Sequence, residues 1–310
     1  MPDSKAYRFC HQINQIIMHF LQFLLNPRLR LFVGAFLISF SPVFVSIVDV
    51  SPTVSGFYRV FIGGIVLTLL VLVSGRRFNF VRAAWVAIIA SATFFAADLW
   101  FWHRSVLYIG PGLGTLLPNM QVFFMMAAGI LMYKERPNNK QIMAVPIAVI
   151  GLILAIGFDW SALKPNSQIG IIFGLLTAIS YTGYLLFMRQ AQVHTSYSMP
   201  IREIAVTSLM VSVFLGFSAI YEGESLMIPS SYDFLILLSY GVASHAIGGI
   251  LIASALVKVN AAEVGIALLL QPSLSYIWEA LFFQKSFILV ESLGIIMVLF
   301  AIYLSSKRTV

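Results

Sequence analysis

Charged side chains are scarce in this chain, and that scarcity limits what the protein can be. Only 10% of its 310 residues are charged, whereas an ordinary soluble domain is about a quarter charged. Hydrophobic residues make up 60% of the sequence, and the mean hydropathy is +0.93. A water-soluble globular domain is therefore excluded as the main body of the protein, and a lipid bilayer is indicated as its solvent.

Cysteine is nearly absent, and so are the patterns that hold cofactors. The single cysteine, Cys10, can form no disulfide within the chain, and no Cys/His cluster has the spacing of a zinc or haem site. We therefore expect no metal and no other cofactor. The loops also lack a paired Asp motif, a His-rich box and a Gly-rich phosphate loop, so an enzyme is not expected.

Basic residues outnumber acidic ones and give a formal charge of +7, but they are scattered singly between apolar stretches. A nucleic-acid site would gather them on one face, so no nucleic-acid partner is expected. If the N-terminus is cytoplasmic, fourteen cations fall on the inner side and three, Arg104, Lys164 and Lys285, on the outer side. This asymmetry predicts a multi-pass protein of the cell inner membrane with both termini in the cytoplasm.

Ten apolar stretches recur along the chain, and each is long enough to cross ~30 Å of hydrocarbon as a helix. The alternation typical of a membrane barrel strand is absent. The sequence therefore predicts an all-α integral membrane protein with ten transmembrane helices. The stretches lie approximately at 30–48, 53–73, 83–103, 112–132, 140–157, 168–188, 200–220, 233–254, 262–283 and 288–305.

The segment before the first span, residues 1–29, has a different pattern. Between residues 7 and 26, polar side chains interrupt the apolar ones too often for a span, and the small-residue cleavage site of a signal peptide is missing. Its apolar residues recur at steps of three and four, which predicts an amphipathic helix in the cytoplasmic interface. A frayed extension of the first span is the alternative.

A polar stretch at residues 159–168, DWSALKPNSQ, separates five spans from five. A shift of 150 positions lays Gln121 on Gln271. Two similar halves with an odd number of spans enter the membrane in opposite directions, so we expect an inverted repeat, with chance alignment as the alternative. The predicted units are a repeat at 30–158, a linker at 159–167, a repeat at 168–306 and a cytoplasmic tail at 307–310.

Three stretches carry a resemblance to a known family. Residues 114–136 read GTLLPNMQVFFMMAAGILMYKER and look like a fourth helix that ends in a loop with Glu135 and Arg136. Residues 268–283 read LLLQPSLSYIWEALFF, similar to a ninth helix with its Gln-Pro, and residues 40–64 look like the first two helices, including Tyr58-Arg59. Over about residues 30–306 the chain resembles the drug/metabolite transporter superfamily, specifically EamA-like proteins with two five-helix repeats.

Two departures from the family pattern are visible. Gln121-Val122 stands where the family often has Gln-Pro, and Gln284-Lys285 stands where Gly-Glu is usual, so a role for the loop carboxylate does not carry over to the second half. The resemblance implies a secondary transporter that moves small metabolites without ATP hydrolysis. It also implies that the fifth and tenth spans serve as scaffold or as the contact of a homodimer.

A charge in hydrocarbon is costly, so ionisable residues within the spans are candidates for function. Asp98 on the third span shares a helix face with Ser91, Phe95 and Trp102, and a carboxylate beside aromatic rings suits an organic solute. Arg59 lies at a similar depth on the second span. Three readings stay open for this pair: a structural ion pair, solute or proton handling by Asp98, and simple snorkelling.

On the ninth span, Gln271, Ser275 and Glu279 follow one another at steps of four, so they share one helix face. We expect that face to point into the bundle, with Gln271 opposite Gln121 across a central cavity. Glu279 is a candidate proton site or a partner of a neighbouring helix. His245 is suited to proton coupling by its chemistry, although a packing role is the alternative.

The sequence thus predicts a secondary active transporter for an amino acid, nucleotide-like or drug-like solute, working by alternating access with ion, proton or exchange coupling. A flippase for lipids or lipid-linked sugars is the alternative, and a membrane-embedded enzyme is less favoured. Expected partners are the solute, protons or a counter-transported solute, and the lipid bilayer, with a homodimer left open. The expected solute-binding residues are Asp98, Trp102, Tyr58, Arg59, Asn119, Gln121, Tyr184, His245, Gln271, Ser275, Trp278 and Glu279.

Overall fold

The computed structural model of this chain describes residues 26–74, 77–134, 136–156, 163–193, 201–256, 268 and 270–306. Within these ranges the regular structure is entirely helical. The predicted amphipathic helix at residues 7–26 lies almost wholly outside the described residues, and so do Glu135, the tail at 307–310 and most of the linker at 159–167.

The first half of the chain contains six α-helices and one 3₁₀ turn among its described residues. The turn, Leu117–Met120, joins the fourth of these helices to the fifth. The helices are α1 (Pro27–Ser39), α2 (Ser41–Ile47), α3 (Pro52–Val73), α4 (Arg82–Leu116), α5 (Gln121–Tyr133) and α6 (Asn139–Ile156).

The described part of the second half contains six α-helices and a π-helix. The π-helix, Tyr240–Gly248, is continuous with the helices on either side of it. The α-helices are α7 (Pro165–Val193), α8 (Ile201–Tyr221), α9 (Ser231–Ser239), α10 (Gly249–Leu256), α11 (Leu270–Phe283) and α12 (Leu289–Ser306).

Several helices are long and apolar enough to cross a membrane, so the protein is a multi-pass membrane protein. Seven described segments meet that length and hydropathy, and Leu289–Leu304 is a shorter apolar helix. One of the seven, Arg82–Met132, holds both the third and the fourth predicted spans. The count of ten stays a prediction. The seven are Pro27–Ile47, Pro52–Val73, Arg82–Met132, Asn139–Ile156, Pro165–Gln192, Ile201–Tyr221 and Ser231–Ile252.

Local sequence explains where many helices begin. The Asn26 side chain accepts the backbone N–H groups of Arg28 and Leu29, and Pro27 occupies the first helical position of α1. Ser51 caps α3 in the same way, again with proline first. Proline suits this position because the first turn of a helix has no use for its missing N–H.

A break at Gly110 divides the long α4 helix. Gly110 has φ 84° and ψ 166°, a backbone conformation that residues with a Cβ atom rarely adopt. Pro111 follows and restarts the helix at its first position. The break lies between the predicted third span, 83–103, and the predicted fourth span, 112–132, but the first of these helices runs farther than expected before it.

Large apolar side chains on many helices face outward, as lipid requires. Val73 is 87% exposed, Leu131 81% and Phe217 70%. Inside the bundle, glycines bring helices close together: Gly151 on α6 meets the backbone of Gly294 on α12, so neither position has room for a Cβ. Similar contacts join α1 to the π-helix.

Two residues, each directly after a helix, share an unusual backbone conformation. Lys134 after α5 has φ 53° and Gln284 after α11 has φ 52°, and no other non-glycine residue in the described ranges has a positive φ. They are 150 positions apart, which is the shift that lays Gln121 on Gln271. Gln284 therefore occupies a left-handed position at which glycine would be unstrained.

Candidate functional site

Arg59 lies on α3 between aromatic rings from two other elements. Its Nη1 donates to the hydroxyl of Tyr240 at 3.0 Å. The guanidinium carbon lies 5.3 Å from the ring centroid of Trp102 and 5.1 Å from that of Tyr240, within cation–π range. The Nε of Arg59 is shielded from solvent and has no hydrogen-bond partner in the described part of the chain.

Tyr240 connects Arg59 to a buried histidine. The Tyr240 hydroxyl lies 3.1 Å from Nε2 of His103, and Nδ1 of His103 lies 2.7 Å from the Leu99 carbonyl oxygen. Both rings are fully buried. A chain of three hydrogen bonds therefore runs from Arg59 on α3, through the π-helix, to the backbone of α4.

Asp98 is buried on α4, with 5% of its surface exposed. Ser91, Phe95 and Trp102 are buried on the same helix face, as the spacing predicts. No ion pair within 4.0 Å joins Asp98 to Arg59. The direct ion pair that the sequence left open is therefore not formed, because Arg59 turns to Tyr240 instead.

A stack of three rings lies beside Asp98. The Phe95 ring stacks on Tyr184 at 4.5 Å and faces His245 at 6.1 Å, with interplanar angles of 23° and 17°. Ser91 donates to the Tyr184 carbonyl oxygen at 3.3 Å and so ties α4 to α7. Tyr184 and His245, which lie far apart in the sequence, are thereby both brought against the Phe95 ring.

His245 lies within the π-helix, a rare geometry that is frequently found at functional sites. Its Nε2 is 2.8 Å from the Ser208 hydroxyl on α8. Gly63 on α3 packs directly against the imidazole, so a side chain there would displace the ring. His245 is thus held by two helices as well as by its own. We call Arg59, Phe95, Asp98, Trp102, His103, Tyr184, Tyr240 and His245 the central cluster.

Glu279 on α11 has a different environment. Its Oε2 accepts the backbone N–H of Gly112 at 2.8 Å, at the start of the helix that follows the Gly110 break. Its Oε1 lies 3.4 Å from Nζ of Lys285, which also pairs with Glu291 at 3.3 Å. A carboxylate at a helix N-terminus is favoured by the helix dipole. We call Gly110, Gly112, Glu279, Lys285 and Glu291 the capping cluster.

The predicted polar face of α11 is largely buried. Ser275 is fully buried and Glu279 is 4% exposed, whereas Gln271 is partly buried. The Ser275 hydroxyl donates to the Gln271 carbonyl oxygen at 2.9 Å. Trp278 donates from Nε1 to the Ser39 hydroxyl at 3.0 Å and stacks on Phe40 at 4.5 Å, so it contacts α1 rather than the central cluster.

Asn119 lies in the turn between α4 and α5, and Gln121 is the first residue of α5. Asn119 donates from Nδ2 to the Thr115 carbonyl oxygen at 2.8 Å. The Oε1 atom of Gln121 is shielded from solvent and has no hydrogen-bond partner in the described ranges. That Gln121 faces Gln271 stays a prediction.

Tyr58 contributes its hydroxyl to a loop contact. It donates to the Leu226 carbonyl oxygen at 2.6 Å and so fastens α3 to the segment between α8 and α9. Tyr58 neighbours Arg59 in sequence, but in this structure its hydroxyl is directed to the loop.

Glu222, just beyond α8, accepts four side-chain hydrogen bonds. Burial of the Glu222 carboxylate raises its pKa, but the bonds from Trp100, Thr53 and Ser218 and the charge of Arg104 outweigh it, so the net pKa is lowered. This network joins the start of α3 and the end of α8 to the middle of α4. The distances to Glu222 are 2.6 Å for Arg104, 2.7 Å for Trp100, 2.8 Å for Thr53 and 2.8 Å for Ser218.

The structure brings together five of the expected residues, Arg59, Asp98, Trp102, Tyr184 and His245. It places Trp278, Ser275 and Glu279 on α11 with other partners. Sequence reasoning missed His103, Tyr240, Glu222 and Gly112. The available signal for the first two was a polar ring inside an apolar stretch. Among the described residues no group of three or more His, Cys, Asp or Glu could hold a metal ion.

The fold is similar to that of a solved protein. One crystal structure, described only as that of a protein, aligns with this chain at a TM-score of 0.65 and 13% sequence identity. The alignment covers 90% of this chain and 95% of the other chain. At that identity the likeness concerns the fold alone. The comparison with curated proteins gives no match.

The family comparison covers most of the chain and matches it twice. The model of the EamA-like transporter family matches residues 29–157 and again residues 168–307. Two matches in tandem agree with two repeats of one unit, as the resemblance implies. A multi-pass helical structure agrees with a membrane transporter of the drug/metabolite type, and members of the family are transporters rather than enzymes. The chain belongs to the EamA-like transporter family.

Proposed function

We propose that this protein is a secondary active transporter that moves a small organic solute by alternating access, with the central cluster as its binding site. Asp98 is the observation that carries the proposal: its carboxylate is buried between membrane helices without an ion-pair partner. A charge in hydrocarbon costs at least ~2.5–3.5 kcal/mol, so a carboxylate in this position is expected to have a function. We propose that it binds a positive or hydrogen-bonding group of the solute.

The rings of the central cluster suggest the class of solute. Phe95, Trp102 and Tyr184 offer flat apolar surfaces, while Asp98 and Arg59 offer one charge of each sign. Sites of this composition suit small organic molecules with both polar and apolar parts. We therefore propose a polar or amphipathic metabolite, such as an amino acid, a nucleotide-like or a drug-like molecule, rather than a bare inorganic ion.

Helix packing supports an arrangement of ten spans as two inverted repeats. In such an arrangement each helix of one repeat has a counterpart in the other. The helices α3 and α8 are counterparts that pack on one another, and so are α6 and α12. Two further contacts, α4 with α7 and α1 with α10, exchange with each other under the same symmetry. Lys134 and Gln284 add a matching helix end in each repeat.

The finer parts of the proposal concern coupling, topology and assembly. Asp98 and His245 are the titratable groups that we assign to coupling with protons or with a counter-transported solute. The excess of cations on one side supports a cell inner membrane location with both termini in the cytoplasm. The mutual packing of α6 and α12 supports a scaffold role for these helices, with the homodimer contact on their outward faces.

We assign Glu279 a structural role and keep Gln121 and Gln271 as residues of the solute path. Glu279 is satisfied by the N–H of Gly112 and by Lys285, so it needs no solute. Gln121 has a buried acceptor without a partner in the described chain, which a solute or a water molecule can satisfy.

The test is a thermal-stability screen of the purified protein across metabolite classes, followed by uptake into proteoliposomes with and without a pH gradient. We expect at least one organic solute to raise the melting temperature and to be transported. Asp98→Asn should abolish both effects, whereas Asp49→Asn, which changes an exposed aspartate, should leave them unchanged.

A lipid flippase is the alternative that the same preparation can detect. Proteoliposomes that scramble a fluorescent lipid while transporting no soluble solute would replace the proposed substrate class. If no solute shifts the melting temperature and Asp98→Asn leaves uptake of every candidate unchanged, the assignment of the site is wrong.

A further inference from the structure

Arg59 presents an unused edge of its guanidinium group. Only Nη1 donates to a protein acceptor, the Tyr240 hydroxyl, among the described residues. The Nε atom is shielded from solvent and has no partner there. The Nε–H and the adjacent Nη2–H form the parallel pair of donors that binds a carboxylate or a phosphate through two hydrogen bonds.

The hydrogen bonds behind Arg59 have a fixed direction. The Leu99 carbonyl oxygen can only accept, so Nδ1 of His103 carries the proton that it receives at 2.7 Å. A second proton on this ring would bring another cation next to Arg59 inside the bundle, at a high cost. Nε2 of His103 therefore accepts, and the Tyr240 hydroxyl at 3.1 Å donates to it.

That direction determines what Tyr240 offers to Arg59. The only proton of the Tyr240 hydroxyl points to His103. The Tyr240 oxygen can therefore act only as an acceptor toward Nη1 of Arg59. A neutral acceptor in this place orients the guanidinium group without neutralising its charge. An aspartate in the place of Tyr240 would bind Arg59 more strongly but would cancel the charge that a solute could use.

The surrounding packing holds these groups in place. Tyr240 and His103 are fully buried, and Trp102 meets the His103 ring edge to face at 4.9 Å. Gly56 on α3 leaves only enough room for the imidazole: a Cβ there would lie 3.2 Å from Cε1 of His103. Contacts from α3, α4 and the π-helix therefore hold the His103 ring in place. The His103 ring in turn orients the Tyr240 hydroxyl.

We propose that Tyr240 and His103 are positioning residues, which hold Arg59 so that its Nε–Nη2 edge binds an oxyanion of the transported solute. The inference rests on the proposed transport function and adds to it a solute group and two residues. Asp98 lies on the same helix as His103 and repels a second negative charge, so the oxyanion binds on the Arg59 side of the cluster.

The experiment compares charged and uncharged probes on the purified full-length protein. The probes are acetate, inorganic phosphate, 3-phenylpropionate and the uncharged 3-phenylpropionamide, each titrated while the melting temperature is recorded. We expect an oxyanion to stabilise the wild type at a concentration at least about tenfold lower than the amide does. Arg59→Gln should remove that preference.

The positioning role has its own controls. Tyr240→Phe should reduce the preference for the oxyanion about tenfold while leaving the response to the amide unchanged. Tyr276→Phe removes a buried hydroxyl that has no hydrogen-bond partner in the described chain, and it should change neither response. His103→Gln, which keeps an acceptor, should retain more of the preference than His103→Leu. A merely structural role would weaken the responses to the oxyanion and the amide together.

Nitrogen-15 NMR of histidine-labelled protein tests the relay without any solute. The chain has only 5 histidines, so His103→Gln identifies the signal. We expect a neutral ring with its proton on Nδ1, and a shift of the Nε2 signal in Tyr240→Phe. A proton on Nε2, or an Nε2 signal unchanged by Tyr240→Phe, would overturn the relay.

The outcomes separate this inference from the proposed function. If an uncharged or purely cationic solute is transported in a manner that depends on Asp98, the transport function stands and the oxyanion site is wrong. If no oxyanion stabilises the wild type better than the amide, the oxyanion site is also wrong. If phosphate raises the melting temperature and the two carboxylates do not, the oxyanion site is supported and the solute class is narrowed to phosphorylated molecules.

Discussion

Two buried carboxylates, one in each half of the chain, have opposite surroundings. Asp98 and Glu279 are 5% and 4% exposed, so both are removed from bulk solvent. Glu279 accepts the N–H of Gly112 and pairs with Lys285. Asp98 has neither kind of partner among the described residues. The fold therefore satisfies the charge of Glu279 by itself and leaves that of Asp98 for something else.

The nearest cations repeat the contrast. Lys285 is shared between Glu279 and Glu291, so the capping cluster balances its charges within the chain. Arg59 donates to the neutral hydroxyl of Tyr240 and lies over two aromatic rings. Burial alone thus does not identify a functional carboxylate. What distinguishes Asp98 from Glu279 is whether the chain itself supplies hydrogen-bond and ion-pair partners, and the following predictions test that distinction.

The largest effect is expected at Asp98. Asp98→Asn removes the unbalanced charge with little change of shape, so transport should fall at least about thirtyfold, or about 2 kcal/mol in transition-state free energy. The melting temperature should stay the same or rise, because an unpaired buried charge destabilises the fold. Uptake into proteoliposomes and thermal unfolding in detergent measure the two quantities.

Asp49→Asn is the matched control for that experiment. Asp49 is exposed and takes part through its backbone N–H, which donates to Asp233 at 2.9 Å. Its variant should match the wild type in uptake and in melting temperature. Equal losses of uptake in the two variants would remove the special status of Asp98.

In the capping cluster, Gly112→Ala should destabilise the fold. A methyl group there would collide with the Tyr276 ring and with the Glu279 carboxylate. We expect the free energy of unfolding to fall by about 1–3 kcal/mol, as for other overpacked sites. Gly249→Ala is the control, since a methyl group there meets open space, and its stability should be unchanged or slightly higher. Equal stabilities of the two variants would contradict the described packing.

Glu279→Ala should cost less, about 0.5–2 kcal/mol of unfolding free energy, because it removes a helix cap. Glu279→Gln should recover part of this loss, since the amide oxygen can still accept the Gly112 N–H. Both variants should transport solute once folded. A Glu279→Gln protein with normal stability and no uptake would instead assign Glu279 to the solute or proton path.

The smallest effect is expected from pH at Glu222. Its pKa is lower in the folded than in the unfolded chain, so its stabilising contribution is complete above the ordinary value of 4.5 and is lost as pH falls through the folded value. The melting temperature of the wild type should therefore fall more steeply between about pH 5 and pH 3 than that of Glu222→Gln. The exposed Glu224→Gln should follow the wild-type curve, and coincidence of all three curves would remove Glu222 from the account.

Much of the helical framework could be predicted from the sequence. The predicted second span, 53–73, matches α3, and the predicted seventh span, 200–220, matches α8 to within one residue. The reason is physical: a lipid solvent demands long apolar helices, and proline and serine mark their starts. The helix that begins at Arg82 extends past the predicted end of the third span at residue 103, because it continues as far as the break at Gly110.

The site was harder to predict because its contacts join distant parts of the chain. The predicted helix face of Asp98 is correct, since spacing along one helix determines it. The bond of Arg59 to Tyr240 spans 181 positions, and that of Gly112 to Glu279 spans 167. Nothing in local spacing indicates such pairs. The spacing of the sequence likewise gives no sign of the π-helix around His245.

The most direct test of the contrast between Asp98 and Glu279 is equilibrium binding of the radiolabelled transported solute to purified protein. The wild type, Asp98→Asn and Glu279→Gln are compared in detergent, with folding verified by size-exclusion chromatography. The account predicts saturable binding to the wild type and to Glu279→Gln, and binding to Asp98→Asn weakened at least about thirtyfold. Full binding to Asp98→Asn together with its loss in Glu279→Gln would contradict the account.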